Sequence, residues 1–347
     1  MESKTMISDF SLVPILATCN FDKTPTLPII IFELFIALGF AVSMFFLPKV
    51  KDKMWQRFGI MAVGVLIFEM FTAPMWKNHR MGEWAYLYHD VSWILTIGWT
   101  SLILTTVLVI DKLLPHVKES QRFLIYLGIL TFLIVPLEIW AVNINLRGYS
   151  PEVNKVVSGI FIFRVPIEIF YYTPVFTGLI ISFYKYWSFV IDDVPLVPLK
   201  RRKWLRDITI AFIGIFLFEV MVEPMAVNQK FPQWSYIFHD ISLFIPGIWI
   251  VVIGITAVLV GKFFSHFPML YRFLIALSIT TSLAIPIEAT FIRNGFRVYS
   301  ESAQHFYTGV FMPVLKIPIE IAFAVPFYMA LMIAFIRYWE NILDNNL

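Results

Sequence analysis

Apolar runs of about twenty residues, the length that crosses a bilayer core as a helix, recur along the whole chain. They predict spans near residues 27–48, 57–76, 91–111, 121–142, 157–187, 207–226, 241–262, 270–290 and 307–336. The expected fold is all-α, a polytopic transmembrane helical bundle of about nine spans. The fifth and ninth runs are long and contain Pro166, Pro174, Pro313 and Pro318, with Pro326 further on, so kinks or breaks are expected there. A short apolar stretch at 10–16 is too brief to span, and the first 25 residues lack the basic and apolar regions of a removable signal peptide.

The polar residues between these runs repeat. The stretch from Phe68 to Asp90 returns 150 positions later, from Phe218 to Asp240. It pairs Glu69 with Glu219, Asn78 with Asn228, Trp84 with Trp234, Tyr86 with Tyr236, His89 with His239 and Asp90 with Asp240. Further on, Arg122 pairs with Arg272, Pro136 and Glu138 with Pro286 and Glu288, and Arg147-Gly148-Tyr149-Ser150 with Arg297-Val298-Tyr299-Ser300. After two extra residues, Arg164 and Glu168 pair with Lys316 and Glu320, and Tyr186-Trp187 with Tyr338-Trp339. The pattern predicts an internal duplication of a four-helix unit: an N-terminal segment with the first helix (1–56), a first repeat (57–206) and a second repeat (207–347). An even number of helices per unit puts both copies in parallel orientation.

Composition agrees with this architecture. The chain is 59% hydrophobic and 15% charged, and its mean hydropathy is +0.76. Soluble domains average about 25% charged residues. A net charge of +3 gives no reason to expect nucleic acid, and the lone cysteine, Cys19, leaves no internal disulfide or cysteine-based metal site. Basic residues follow the first span (Lys49, Lys51, Lys53, Arg57) and the fifth (Lys200, Arg201, Arg202, Lys203, Arg206). By the positive-inside rule the N-terminus is expected outside and the C-terminus in the cytoplasm.

That topology gathers Glu69, Asp90, Glu138 and Glu168 in the middle-to-outer part of one unit, with Glu168 about three turns into its helix, and Glu219, Asp240, Glu288 and Glu320 in the other. A charged side chain at a helix centre costs roughly 2.5–3.5 kcal/mol on insertion scales. These acids are therefore expected to be neutral, paired or turned to a polar cavity. Arg164/Glu168 and Lys316/Glu320 stand four apart, where they would meet on one helix face as an ion pair. Glu69, Glu138, Glu219 and Glu288 have no adjacent cation in sequence, and a carboxyl taken out of water favours its proton-carrying form. They suit acid chemistry on an apolar substrate, or hydrogen bonding between helices. Asp90 and Asp240 fit helix caps, with His89 and His239 beside them. Trp84, Tyr86, Trp234 and Tyr236 fit an interfacial aromatic belt and, with Asn78 and Asn228, could also contact substrate. No phosphate-loop, dinucleotide or serine-hydrolase motif occurs, and the histidine spacing suggests no metal and no cofactor.

Val165-Pro166-Ile167-Glu168 through Pro174, and Ile317-Pro318-Ile319-Glu320 through Pro326, resemble the Pro-x-Glu helix of membrane lycopene cyclases of the heterodimeric and fungal type. The run from Glu69 to Gly82-Glu83-Trp84-Ala85-Tyr86 is similar to a pattern of related carotenoid hydratases. The second acid of the cyclase motif is Ile169 and Ile321 here, and Ile139 and Ala289 follow the earlier Pro-x-Glu copies. The resemblance implies a cofactor-free isomerase or lyase of carotenoid biosynthesis acting on an isoprenoid lipid of the bilayer, with Glu138, Glu168, Glu288, Glu320, Glu69 and Glu219 as catalytic candidates. Two alternatives stay open: a proton- or cation-coupled transporter with parallel repeats, and a structural or sensor membrane protein. The sequence leaves the oligomeric state open.

Overall fold

The computed structural model describes residues 23–156, 158–192 and 203–345. The stretch at 10–16, Cys19, Lys200, Arg201 and Arg202 lie outside the described residues. In chain order the helices are α1 (Leu27–Phe46), α2 (Met54–Thr72), α3 (Trp93–Leu113), α4 (Glu119–Asn143), the short α5 (Pro151–Val156), α6 (Ile169–Ile191), α7 (Trp204–Val222), α8 (Phe244–Phe263), α9 (Met269–Asn294), the short α10 (Glu301–His305) and α11 (Ile319–Asn345). Among the described residues eight are long and apolar enough to cross a membrane. The ninth long helix, α7, has 19 residues and carries Arg206, Asp207 and Glu219. The molecule is an all-α, polytopic helical bundle of membrane type. Outward-facing Leu34, Leu38 and Phe45 of α1 are exposed, as suits a surface whose solvent is hydrocarbon.

Small β-ribbons close one end of the bundle. β1 (Trp76–Asn78) follows α2, and β2 (Tyr86–Tyr88) and β3 (Val91–Ser92) form a hairpin before α3. After α4, β4 (Arg147–Tyr149) returns to pair antiparallel with β1, placing Asn78 opposite Arg147. β5 (Phe161–Ile162) and β6 (Val165–Pro166) form a hairpin before α6. In the second half, β7 (Ala226–Asn228), β8 (Tyr236–Phe238), β9 (Ile241–Ser242) and β10 (Arg297–Tyr299) repeat the scheme: β8 pairs with β9, and β7 with β10, with Asn228 opposite Arg297.

Two spans differ from the sequence expectation. The fifth begins at Ile169 instead of 157, and the ninth at Ile319 instead of 307. Pro166 cannot donate to a helical ladder and biases its predecessor away from helix. The chain instead turns back at Phe163 and Arg164, both at positive φ, and Ile167 N–H closes the hairpin on Ile160 O at 3.0 Å. In the ninth, Lys316 takes the left-handed conformation and Ile319 N–H bonds Val310 O at 3.0 Å. Pro136, Pro174, Pro286 and Pro326 are accommodated inside helices.

The halves meet along α2, α6, α7 and α11 in an aromatic seam. Phe218 packs against Phe71 at 5.0 Å and Tyr328 at 4.8 Å, with Phe68 at 6.5 Å. Toward the other end the contact is reciprocal: Phe123 meets Trp339 at 4.8 Å and 70°, and Phe273 meets Trp187 at 4.8 Å and 70°. Glycine sets the closest helix approaches. A Cβ on Gly214 of α7 would lie 2.8 Å from the Phe335 ring of α11, and one on Gly64 of α2 would lie 3.0 Å from Phe183 of α6. Arg57 pairs with Asp192 and Arg206 with Asp344, tying the start of α2 to the end of α6 and the start of α7 to the end of α11.

Candidate functional site

Each half holds a cleft at the ribbon end, and the same kinds of residue build both. In the first cleft, of about 690 Å³, α2 contributes Phe68, Glu69 and Thr72, α4 contributes Glu138, and the paired strands contribute Asn78 and Arg147. Trp76, Trp99, Tyr172 and Phe176 form its aromatic walls. The second cleft, of about 910 Å³, is lined by Phe218, Glu219, Glu288, Arg297, Tyr299, Trp249 and Tyr328. Met221 enters the first cleft from the second half, and Phe71 and Tyr88 enter the second from the first.

The wiring differs. In the second cleft Arg297 Nη2 lies 2.5 Å from Glu219 Oε2, its Nη1 lies 3.3 Å from Glu288 Oε2, and the Tyr299 hydroxyl donates to Glu288 Oε1 at 2.8 Å. One guanidinium thus binds both buried carboxylates. Burial works against its charge, but Glu219 and Glu288 outweigh that and raise the Arg297 pKa well above the ordinary range. In the first cleft Arg147 Nε lies 3.6 Å from Glu138 Oε1, its one ion pair among the described residues, and Tyr149 donates to Glu138 Oε1 at 3.1 Å. Burial and the neighbouring Glu138 keep the Tyr149 hydroxyl protonated by pushing its pKa up.

Glu69 is held by Thr96 of α3. The Thr96 hydroxyl has one proton and two acceptors in reach, Glu69 and the Ser92 carbonyl at 3.0 Å. When it donates to Ser92, its lone pairs face Glu69 and can accept a hydrogen bond from the acid form. Asp90 is buried on the same cleft. Burial pushes its carboxyl up to about 7, opposed by backbone hydrogen bonding and the Arg147 and Lys77 charges. The position matching Thr96 is Pro246, so the second half has no such hydroxyl.

The sequence candidates divide accordingly. Glu69, Glu138, Asp90 and Asn78 line the first cleft, and Glu219, Glu288 and Glu320 the second. Glu168 accepts the Ser158 N–H at 2.6 Å and Glu320 the Thr308 N–H at 2.6 Å. Burial raises the Glu168 carboxyl, but its hydrogen bonds with Ser158 outweigh this and its pKa is lowered. The expected Arg164/Glu168 and Lys316/Glu320 helical pairs do not form. Arg164 and Lys316 are exposed in the turns before α6 and α11, and Arg164 reaches Asn145 at 3.4 Å instead. Nor is Glu168 three turns into a helix; it immediately precedes α6. The reason in both cases is the non-helical backbone around Pro166 and Pro318.

Trp84 and Trp234 are exposed and stand outside both clefts. The Tyr86 hydroxyl donates to Asn78 O at 3.0 Å and that of Tyr236 to Asn228 O at 3.4 Å, so both brace the strands behind the clefts. Asn78 donates to the Asp90 carbonyl at 2.7 Å, while Asn228 is buried. His89 packs on Phe306 at 4.8 Å, and burial lowers its pKa. His239 is exposed 3.3 Å from Glu223, a buried acid with no counterpart in the first half, where Ala73 stands. Asp240 is exposed, unlike Asp90.

Glu138, Glu219 and Glu288, which have no adjacent cation in sequence, meet Arg147 and Arg297, which arrive through strand pairing and not from the same helix. The repeated Arg-x-Tyr-Ser runs at 147–150 and 297–300 were the sequence signal for them. Among the described residues no group of three or more His, Cys, Asp or Glu side chains is placed to hold a metal ion. An apolar groove of about 1000 Å³ between α1, α3 and α4 adjoins the first cleft, sharing Trp99, Glu138 and Arg147 with it. Comparison with protein-family models, curated proteins and solved structures returned no match.

Proposed function

We propose that the protein is an intramembrane enzyme that moves a proton onto a long, apolar, isoprenoid-type lipid, and that the first cleft is its active site. The observation carrying this reading is the setting of Glu69. It faces an aromatic-walled cleft, has a hydroxyl that can accept a hydrogen bond from its acid form, and among the described residues has no arginine in ion-pair contact, whereas Glu219 is bound by Arg297 at 2.5 Å. Glu69 protonates a double bond, the carbocation lies against Trp99, Tyr172 and Phe176, and a carboxylate, Asp90, takes the proton lost from the adjacent carbon. One proton is added and one removed, so the product is an isomer of the substrate. Glu138, Arg147 and Tyr149 are positioning residues. The groove beside α1 offers the apolar chain a route from the bilayer to Glu138 and Arg147.

In this reading the two halves are a duplicated four-helix unit in parallel orientation, with the ribbon end outside and the C-terminus in the cytoplasm. The matching strand registers and the reciprocal Phe–Trp contacts support the duplication. The second cleft, in which Arg297 ties up both Glu219 and Glu288, is structural. The resemblance of the Pro-x-Glu runs to lycopene cyclases supports a polyene substrate. A parallel-repeat transporter would need a wet cavity where the halves meet, and the aromatic seam there favours the enzyme.

The test is expression of the full chain in cells accumulating an acyclic polyene, followed by chromatography of the lipid extract. A new species of unchanged mass supports the reading if Glu69→Gln abolishes it and Glu219→Gln, at equal protein level, retains it. An unchanged extract, or a product that survives Glu69→Gln, contradicts it.

A further inference from the structure

At the end of the bundle opposite the clefts, the first half contains a closed charge network. Lys185 Nζ of α6 lies 2.7 Å from Asp111 Oδ2 of α3 and 3.0 Å from Glu119 Oε1 of α4. Arg122 Nη2 lies 2.6 Å from Glu119 Oε2, Tyr126 donates to Asp111, and Tyr338 of α11 donates to Glu119 at 2.9 Å. Two cations thus meet two carboxylates, and the tyrosines fill the space between.

The second half keeps the cations and one tyrosine, Tyr186 in place of Tyr338, but lacks the two carboxylates and the other tyrosine. Arg122 and Lys185 correspond to Arg272 and Arg337, offset by 150 and 152 positions. Asp111, Glu119 and Tyr126 correspond to Gly261, Met269 and Ala276. Gly261 and Ala276 are smaller than their counterparts and Met269 is uncharged, and here an open cavity of about 1770 Å³ lies between α8, α9 and α11, lined by Arg272, Arg337 and Lys262. Glu340 is the carboxylate in its lining, and it already sits 2.7 Å from Arg337 Nη1. The Arg272 Nε is buried without a hydrogen-bond partner, and the Arg272 and Arg337 charges repel one another. Past the arginines, the wall is apolar, with Ile253, Phe273 and Ile333.

The partly buried Arg272 and Arg337, with exposed Lys262 at the rim and one carboxylate among them, leave an excess of positive charge that favours an anion. We propose that the cavity binds a phosphate group, whose oxygens match the planar donor fork of arginine. Free phosphate and a lipid headgroup share that chemistry, and the apolar wall can take the chain of the latter. This site does not depend on the assignment of the first cleft.

The test uses the full chain in detergent, with binding followed by calorimetry and thermal melting. The probes are inorganic pyrophosphate, dioctanoyl phosphatidic acid and, as a phosphate-free control, dioctanoylglycerol. At least one phosphate probe is expected to bind and raise the melting temperature, and dioctanoylglycerol is not. Arg272→Gln weakens binding by about ten-fold or more, the scale of a hydrogen bond to a charged group. The double variant Gly261→Asp/Met269→Glu restores the acids of the first half and so abolishes binding while supplying, rather than removing, internal partners; it decides the matter if Arg272→Gln fails to fold. Binding of pyrophosphate assigns a free phosphate, and binding of phosphatidic acid alone assigns a headgroup. No binding by either probe, or binding unchanged in the double variant, overturns the proposal.

Discussion

Of the two glutamates that α2 and α7 carry into the bundle, Glu219 is fixed by Arg297 at 2.5 Å whereas Glu69 is held by a threonine hydroxyl. The difference makes opposite mutational outcomes. Removing Arg297 strands two buried carboxylates, so Arg297→Gln should cost about 3–5 kcal/mol, read as a large fall in melting temperature. Adding Glu219→Gln should recover part of it. A melting temperature unchanged by Arg297→Gln would show that the two carboxylates do not depend on the guanidinium. Asp90 makes a pH prediction. Burial lifts its carboxyl from about 4 in the unfolded chain to about 7. Between those values the folded state binds more protons than the unfolded one, so this group makes stability fall as pH rises from about 4 to about 7 and adds no further slope outside that window. Subtracting the melting profile of Asp90→Asn from the wild-type profile should isolate that decline; parallel profiles would contradict it. At this scale the glutamates were legible in the sequence because buried acids are costly and these recur at a fixed offset. Their arginines were not. Arg147 stands nine positions beyond Glu138, out of reach along a helix, and only the return of β4 onto β1 brings it back.

The elements were legible where hydrophobic length alone decides them and illegible where a proline overrides it. Residues 157–168 are apolar enough to read as helix, yet Pro166 forces a hairpin, and with it the Arg164/Glu168 pair expected from helical spacing is lost. The hydrophobic pattern is blind to this because the turn carries Ile160, Phe161 and Phe163, which are exposed apolar residues suited to lipid. Helix packing gives a sharper test. The Cβ of a valine at position 214 would meet the Phe335 ring where only hydrogen now fits. Gly214→Val should destabilise by about 1–3 kcal/mol, as overpacking does, visible in thermal melting of the detergent-solubilised chain. A wild-type melting temperature would mean that α7 and α11 are not held so close.

Across the whole molecule, the two halves share a plan and differ in what has been added or removed. The first has α1, which has no counterpart and forms one wall of the groove leading to Glu138 and Arg147. Where the first has Asp111, Glu119 and Tyr126 the second has Gly261, Met269 and Ala276, and at the other end it carries Glu223 where the first has Ala73. A groove that admits substrate can be plugged without disturbing the fold. A Cβ on Gly39 of α1 would meet nothing within 4 Å, and Gly39 lines that groove. Gly39→Phe should therefore leave the melting temperature unchanged and raise the substrate concentration needed for half-maximal conversion. Conversion at wild-type affinity would place the entry route elsewhere.

Proton transfer to the substrate in the first cleft is the decisive step of the proposed reaction, and isotope incorporation reads it. Purified protein in liposomes, given the acyclic polyene in deuterated water, should yield a product carrying one deuterium, and the Glu69→Gln variant should yield none. A product formed without deuterium, or one labelled equally by the variant, would contradict the account.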